Sequence, residues 1–225
     1  ESGTTDIITV VLNAQPASNV VMAISSSDIS ESSLNSPLTF TPANWDTAQT
    51  VTITGVDDDV IDGDQATTIT ISVVDALSDD DFDSLNDQTV ASVTTDNDQA
   101  GFTVVEFGGS TGVTESGDTD TFTVVLDAQP DSDVVLTITS SDTGEATVTS
   151  TLTFTSANWN TAQTVTVTGV DDNAIDGSQT STITIAVDDA NSDNNFDAVA
   201  DKTVTVVTTD DDNAGFTIVQ TQGTT

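Results

Sequence analysis

The stretches "TITGVDDDVIDGDQATTITI", residues 52–71, and "TVTGVDDNAIDGSQTSTITI", residues 166–185, decide the reading of this chain. In each, apolar residues alternate with Thr on both sides of a loop that crowds several carboxylates. Alternation with period two marks a half-buried strand. The two stretches stand 114 residues apart, and that offset recurs throughout. It links the "ESG" at Glu1 to the "ESG" at Glu115, Phe40 to Phe154, Trp45 to Trp159, Phe82 to Phe196, and the "AGF" at Ala100 to the "AGF" at Ala214. No gap is needed, so the 225 residues are tandem copies of one unit of ordinary domain size.

Within the second copy the alternation selects inward-facing sets. These are Phe122, Val124 and Leu126; Val134, Leu136 and Ile138; Leu152 and Phe154; Val165 and Val167; Ile183, Ile185 and Val187; and Val204 and Val206. With the run "GFTVVEF" at 101–107 they make about seven strands. Thr and Ser fill the other faces, as on solvated β surfaces. The expected fold is all-β: two tandem Ig-like, Greek-key β-sandwich domains. Residues 1–99 form a first repeat lacking its initial strand, 100–213 form a second repeat, and 214–225 supply the initial strand of a following repeat or a donated strand. Trp45 and Trp159 fall in the turn "ANW(D/N)TAQTV" and are expected to cap the core, while Phe82 and Phe196 anchor acidic loops.

Composition excludes several classes of activity. Asp and Glu number 38 against a single basic residue, Lys202, for a formal charge of −37. Such a charge repels nucleic acid and anionic membrane, and nothing basic is available to grip phosphate. Cys and His are absent, which removes disulfides, thiolate sites and Ser-His-Asp or Cys-His catalysis. The chain is therefore expected not to be an enzyme. No apolar run is long enough to cross a bilayer. All but five of the acids are Asp, whose short arm suits turns and oxygen cages for hard cations.

Three acidic features recur in each copy. The first is Glu1 or Glu115 of "ESG". The second is the loop after "TGV", with Asp57, Asp58, Asp59, Asp62 and Asp64 in copy one and Asp171, Asp172 and Asp176 in copy two. The third closes the last strand, with Asp96 and Asp98, then Asp210, Asp211 and Asp212. Loops at one end of a sandwich can converge, and gathered carboxylates raise one another's pKa unless a cation sits among them. Calcium takes six to eight oxygens in flexible geometry, whereas magnesium keeps more water, so Ca2+ is the expected ion.

"GVDDDVIDGDQATTITI" followed by "TTDNDQAGFTVVEF" resembles the Calx-β domain, found in the regulatory regions of sodium/calcium exchangers and in bacterial surface proteins. The resemblance spans both copies. It implies calcium ligands at Glu1, Asp28, Asp57, Asp58, Asp62, Asp96, Asn97 and Asp98, with a carbonyl from Val60. In copy two it implies Glu115, Asp142, Asp171, Asp172, Asp176, Asp210, Asp211 and Asp212, with a carbonyl from Ala174. Asn97 departs from the family pattern by replacing an acid. Gln65 and Gln179 stand where the family often has another.

In that family "AGFTVVEF" begins a domain. Copy two has it, copy one does not, and "AGFTIVQ" recurs at 214–220. Either the chain is a slice of a longer array, or the tail of one subunit completes the first domain of the next, head to tail, as in strand donation. The functional expectation is a calcium-stiffened repeat of an extracellular, cell-surface or secreted fibre, stalk or adhesin, partnered by adjacent repeats or identical subunits. A calcium-sensing regulatory module and a carbohydrate-binding accessory domain are the alternatives.

Overall fold

Wherever the sequence alternates, a strand forms. The computed structural model describes residues 1–220, and the chain divides into a first unit, Glu1–Asp98, and a second beginning at Gln99. The first unit contains β1 (Thr5–Val10), β2 (Val20–Ser26), β3 (Ser32–Leu34), β4 (Leu38–Phe40), β5 (Gln49–Gly55), β6 (Gln65–Val73) and β7 (Gln88–Thr94). They form a three-stranded sheet, β1-β5-β3, and a four-stranded sheet, β4-β2-β6-β7. Between the sheets lie Val20, Met22, Ile24, Leu38, Phe40, Val51, Ile53 and Ile69, the residues that the alternation turns inward.

The second unit contains β8 (Phe102–Glu106), β9 (Thr111–Thr114), β10 (Thr119–Leu126), β11 (Val134–Ser140), β12 (Ala146–Val148), β13 (Thr151–Phe154), β14 (Gln163–Gly169), β15 (Gln179–Val187) and β16 (Lys202–Thr209). Its sheets run β12-β14-β10-β8 and β13-β11-β15-β16-β9. The chain is thus all-β, a tandem of Ig-like sandwiches, with only single 3-10 turns as helix among the described residues.

Two strands of the second unit escape the sequence pattern. β9 and β12 are four and three residues long, and β9 joins β16 in parallel. Trp45 sits in the turn after β4 and packs against the first core, and its carbonyl accepts from the Leu12 amide at 3.2 Å. Phe196 is fully buried, and Phe82 partly so against the first core. Residues 214–220, expected to be strand, have no ladder partner and form none, while residues 221–225 lie outside the described residues.

One glycine is fixed by a close approach. A Cβ on Gly169, at the end of β14, would lie 1.9 Å from the Thr114 carbonyl oxygen. Its counterpart Gly55 leaves 3.1 Å to the Glu1 carbonyl. Gly169→Ala is therefore expected to cost the second unit about 2–3 kcal/mol and Gly55→Ala about 1 kcal/mol or less, read from urea unfolding midpoints. Equal effects at the two sites would contradict this account.

Candidate metal centre

Strand register brings the acidic segments to one end of each sandwich. In the first unit, Thr5 of β1 opposes Thr54 of β5, Ser32 of β3 opposes Gly55, and Gln65 of β6 opposes Thr94 of β7. Residues 1–4, 27–31, 56–64 and 95–98 consequently meet at that end. In the second unit the pairs Thr119–Thr168, Ala146–Gly169, Gln179–Thr208 and Thr114–Thr209 gather 115–118, 141–145, 170–178 and 210–213 in the same way.

Among the described residues three groups result, each with carboxylate oxygens within 4.8 Å of one another: Glu1, Asp58 and Asp98; Glu115, Asp210 and Asp212; and Glu145, Asp172 and Asp176. The glutamates are the buried members, with Glu115 only 1 % exposed. Neither oxygen of Glu115 has a hydrogen-bond partner, and neither does one buried oxygen on each of Asp98, Glu145 and Asp212. Burial, reinforced by Asp210, pushes the Glu115 carboxyl above its ordinary range. The nearby Asp211 amide pulls the other way without closing a hydrogen bond. Burial also raises Glu145, with Asp176 and Asp142 adding to it, and raises Asp212, with Asp210 and Asp211 adding. In the first unit, burial raises Glu1, and it raises Asp98 together with Asp96, Asp59 and Asp57.

The far end of each sandwich shows how this chain treats a buried acid that needs no ion. Asp79 accepts from the amides of Ala17 at 2.7 Å, Ser18 at 2.8 Å and Asp81 at 3.2 Å. Those amides, Ser18 foremost, hold its carboxyl low. Asp193 accepts from Ser132 and Asn195, each at 2.9 Å, and these amides outweigh the burial that would raise it. Asp79 and Asp193 are thus met by protein donors, whereas Glu115 is met by none; in the loop of Asp79, one buried oxygen of Asp83 is also unpartnered, and burial raises that carboxyl.

The remaining expected ligands play varied parts. Asp96 and Asp210 accept from the amides of Gly63 at 2.7 Å and Gly177 at 2.8 Å, tying the closing run to the middle loop. The Gly177 and Asp212 amides hold the Asp210 carboxyl below its ordinary range. Asp57 and Asn97 both accept from the Ser2 amide, at 2.9 and 3.2 Å. Asp62 lies outside the three groups but, after burial, is the main influence raising Glu31. Asp28 and Asp142 are turned onto their own loops, accepting from the amides of Ser30 at 3.0 Å and Gly144 at 2.9 Å. Asp171 and Asp211 are exposed and outside the groups. The Val60 carbonyl accepts from the Asp62 amide at 3.1 Å.

Two acids were missed by sequence reasoning. Glu31 and Glu145, 6 % and 9 % exposed, come from the same loops as Asp28 and Asp142 and are the buried carboxylates there. They stand one repeat offset apart, so four of the five glutamates fall into two pairs at that spacing. That pairing was the available signal.

No protein-family model matches the chain, and no curated protein does. Among solved structures it is similar to domains 4 and 5 of the S-layer protein SbsC, at 16% identity over 84% of this chain and 70% of that one, with a TM-score of 0.39. It is also similar to the calcium binding domain CBD12 of CALX1.1, at 17% identity over 82% and 74%, with a TM-score of 0.36. CBD12 from CALX1.2 gives 15% identity over 82% and 73%, with a TM-score of 0.33. At these scores the likeness carries no argument about the site, which stands on this chain's own donor groups.

Proposed function

We propose that the chain is a calcium-binding structural repeat of an extracellular or cell-surface assembly. The observation that carries this reading is Glu115: a buried carboxylate with neither oxygen hydrogen-bonded, facing Asp210 and Asp212. A divalent cation supplies the missing positive partner, and the chain has no spare basic side chain to do so. An all-oxygen donor set of carboxylates and loop carbonyls suits calcium. Glu115, Asp210 and Asp212 hold one ion and Glu145, Asp172 and Asp176 a second, with Glu1, Asp58 and Asp98 holding the ion of the first unit. Extracellular modules bind calcium at roughly 0.1–1 mM, the range in which an external supply keeps such sites filled.

The test is calorimetric titration of calcium into the chelator-treated chain and into Glu115→Gln. The substitution keeps shape and removes the charge. It is expected to weaken binding at its position at least tenfold and to leave the metal-free chain as stable or more so, because a buried unpartnered charge is gone. Unchanged calcium binding in Glu115→Gln, or no binding by either protein at millimolar calcium, would sink the proposal.

A further inference from the structure

β8 is lightly held. It is five residues long and lies at the edge of its sheet, with β10 as its one neighbour among the described residues. Phe102 is its one buried residue; Val104 and Glu106 are half-buried, and Thr103 and Val105 are exposed. An edge strand with so little burial opens at lower cost than the body of its domain.

What holds the strand is concentrated at its first residue. The Phe102 ring is fully buried. The Gly101 carbonyl accepts from the Asp127 amide at 2.9 Å, and the Thr103 hydroxyl donates to the Asp127 carboxylate at 2.7 Å. A further contact comes from the other sheet. Lys202 opens β16 opposite Ile185 of β15, and its ammonium donates to the Phe102 carbonyl and stands 5.1 Å from the centroid of the Phe102 ring. This is the sole basic side chain in a chain with 38 acids, and it meets a carbonyl and a ring rather than a carboxylate. Both attractions depend on its charge.

The other end of the strand is free to turn. Gly108 and Gly109 follow β8 at φ +76° and +80°, a backbone region that glycine adopts without strain, and a Cβ added at either would meet nothing within 4 Å. Beyond them β9 is fixed separately: it pairs in parallel with β16, and Thr111 and Val113 are buried. A strand anchored at its first residue and followed by two such glycines can swing out while β9 stays docked.

We propose that β8 is a releasable strap, latched by the charge of Lys202 and pivoting at Gly108 and Gly109. The chain enters the second unit through this strand, so opening it adds residues 102–106 to the segment that joins the units, roughly 17 Å of extended chain. The strap is a reversible reserve of length that leaves the rest of the sandwich folded. It does not rest on the cation reading, because no member of the three acidic groups takes part, and it works in chelator as in calcium.

The experiment is hydrogen exchange read by mass spectrometry on the 225-residue chain. Lys202→Met keeps an apolar stem and removes the charge. It is expected to speed exchange of the amides shared by β8 and β10 at least about tenfold, while β9, β14 and β15 exchange as before. Lys202→Arg keeps the charge and is expected to exchange like the unaltered chain. Val105→Cys/Thr123→Cys is an in-register, outward-facing pair in a chain with no cysteine of its own. Oxidised, it locks the strand and should abolish the effect of Lys202→Met. Unchanged β8 exchange in Lys202→Met, equal acceleration in β14 and β15, the same acceleration in Lys202→Arg, or its persistence in the oxidised pair would overturn the proposal.

Discussion

Adding about 10 mM calcium to the chelator-treated chain is expected to raise its melting temperature by roughly 5–20 °C. The estimate follows from one site at a ten- to hundredfold excess over a dissociation constant of roughly 0.1–1 mM, which stabilises the folded state by about 1.4–2.7 kcal/mol. For domains near this size each kcal/mol moves the midpoint by about 4–8 °C. The pH dependence is more diagnostic than the shift itself. Glu1, Glu31, Asp98, Glu115, Glu145 and Asp212 are all held above the ordinary carboxylate range, each chiefly by burial. In the metal-free folded state they keep protons that the unfolded chain has already released. Stability therefore falls as pH rises from about 4 through the raised values. Asp28, Asp79, Asp193 and Asp210 are held low, so their contribution is complete above about pH 4 and is lost only below it. Between about pH 4 and 7 the metal-free chain is expected to melt at a steadily lower temperature as pH rises. The calcium-loaded chain should do the reverse, because the ion favours the charged carboxylates. Scanning calorimetry at pH 5 and 7.5, in chelator and in calcium, reads both slopes; parallel slopes would refute the account.

Phe102→Ala is the second large effect, with an expected loss of about 3–5 kcal/mol in the second unit. The ring is fully buried against the core. It also carries the one basic side chain of the protein: the Lys202 ammonium stands 5.1 Å from the ring centroid and donates to the Phe102 carbonyl. Truncation opens a groove beside β10 and leaves Val124, Ile185 and Phe196 partly uncovered. Chemical denaturation resolves the effect if the first unit's transition is unchanged. A loss below 1 kcal/mol would show that the ring is not the plug the packing makes it.

The strand pattern was largely legible because a sandwich buries one face of each strand, and alternation records that directly. It failed at β9 and β12, each of which offers a single large apolar residue, Val113 or Val148, and pairs with a strand distant in sequence. The acidic end was legible in outline from the recurring Asp runs. Its buried glutamates were less so: Glu1 and Glu115 were marked by "ESG", but Glu31 and Glu145 sit in loops whose more visible acids, Asp28 and Asp142, are turned back onto local amides. Which acid of a loop points inward is set by the backbone path, which composition does not encode.

The amide cages around Asp79 and Asp193 have a consequence for how these sandwiches respond to their surroundings. Asp79 and Asp193 are stitched in place by donors written into the polypeptide, and those contacts do not depend on what the solvent contains. On the proposed reading the opposite pole borrows its counter-charge from outside, so softening under ion depletion is expected to begin there.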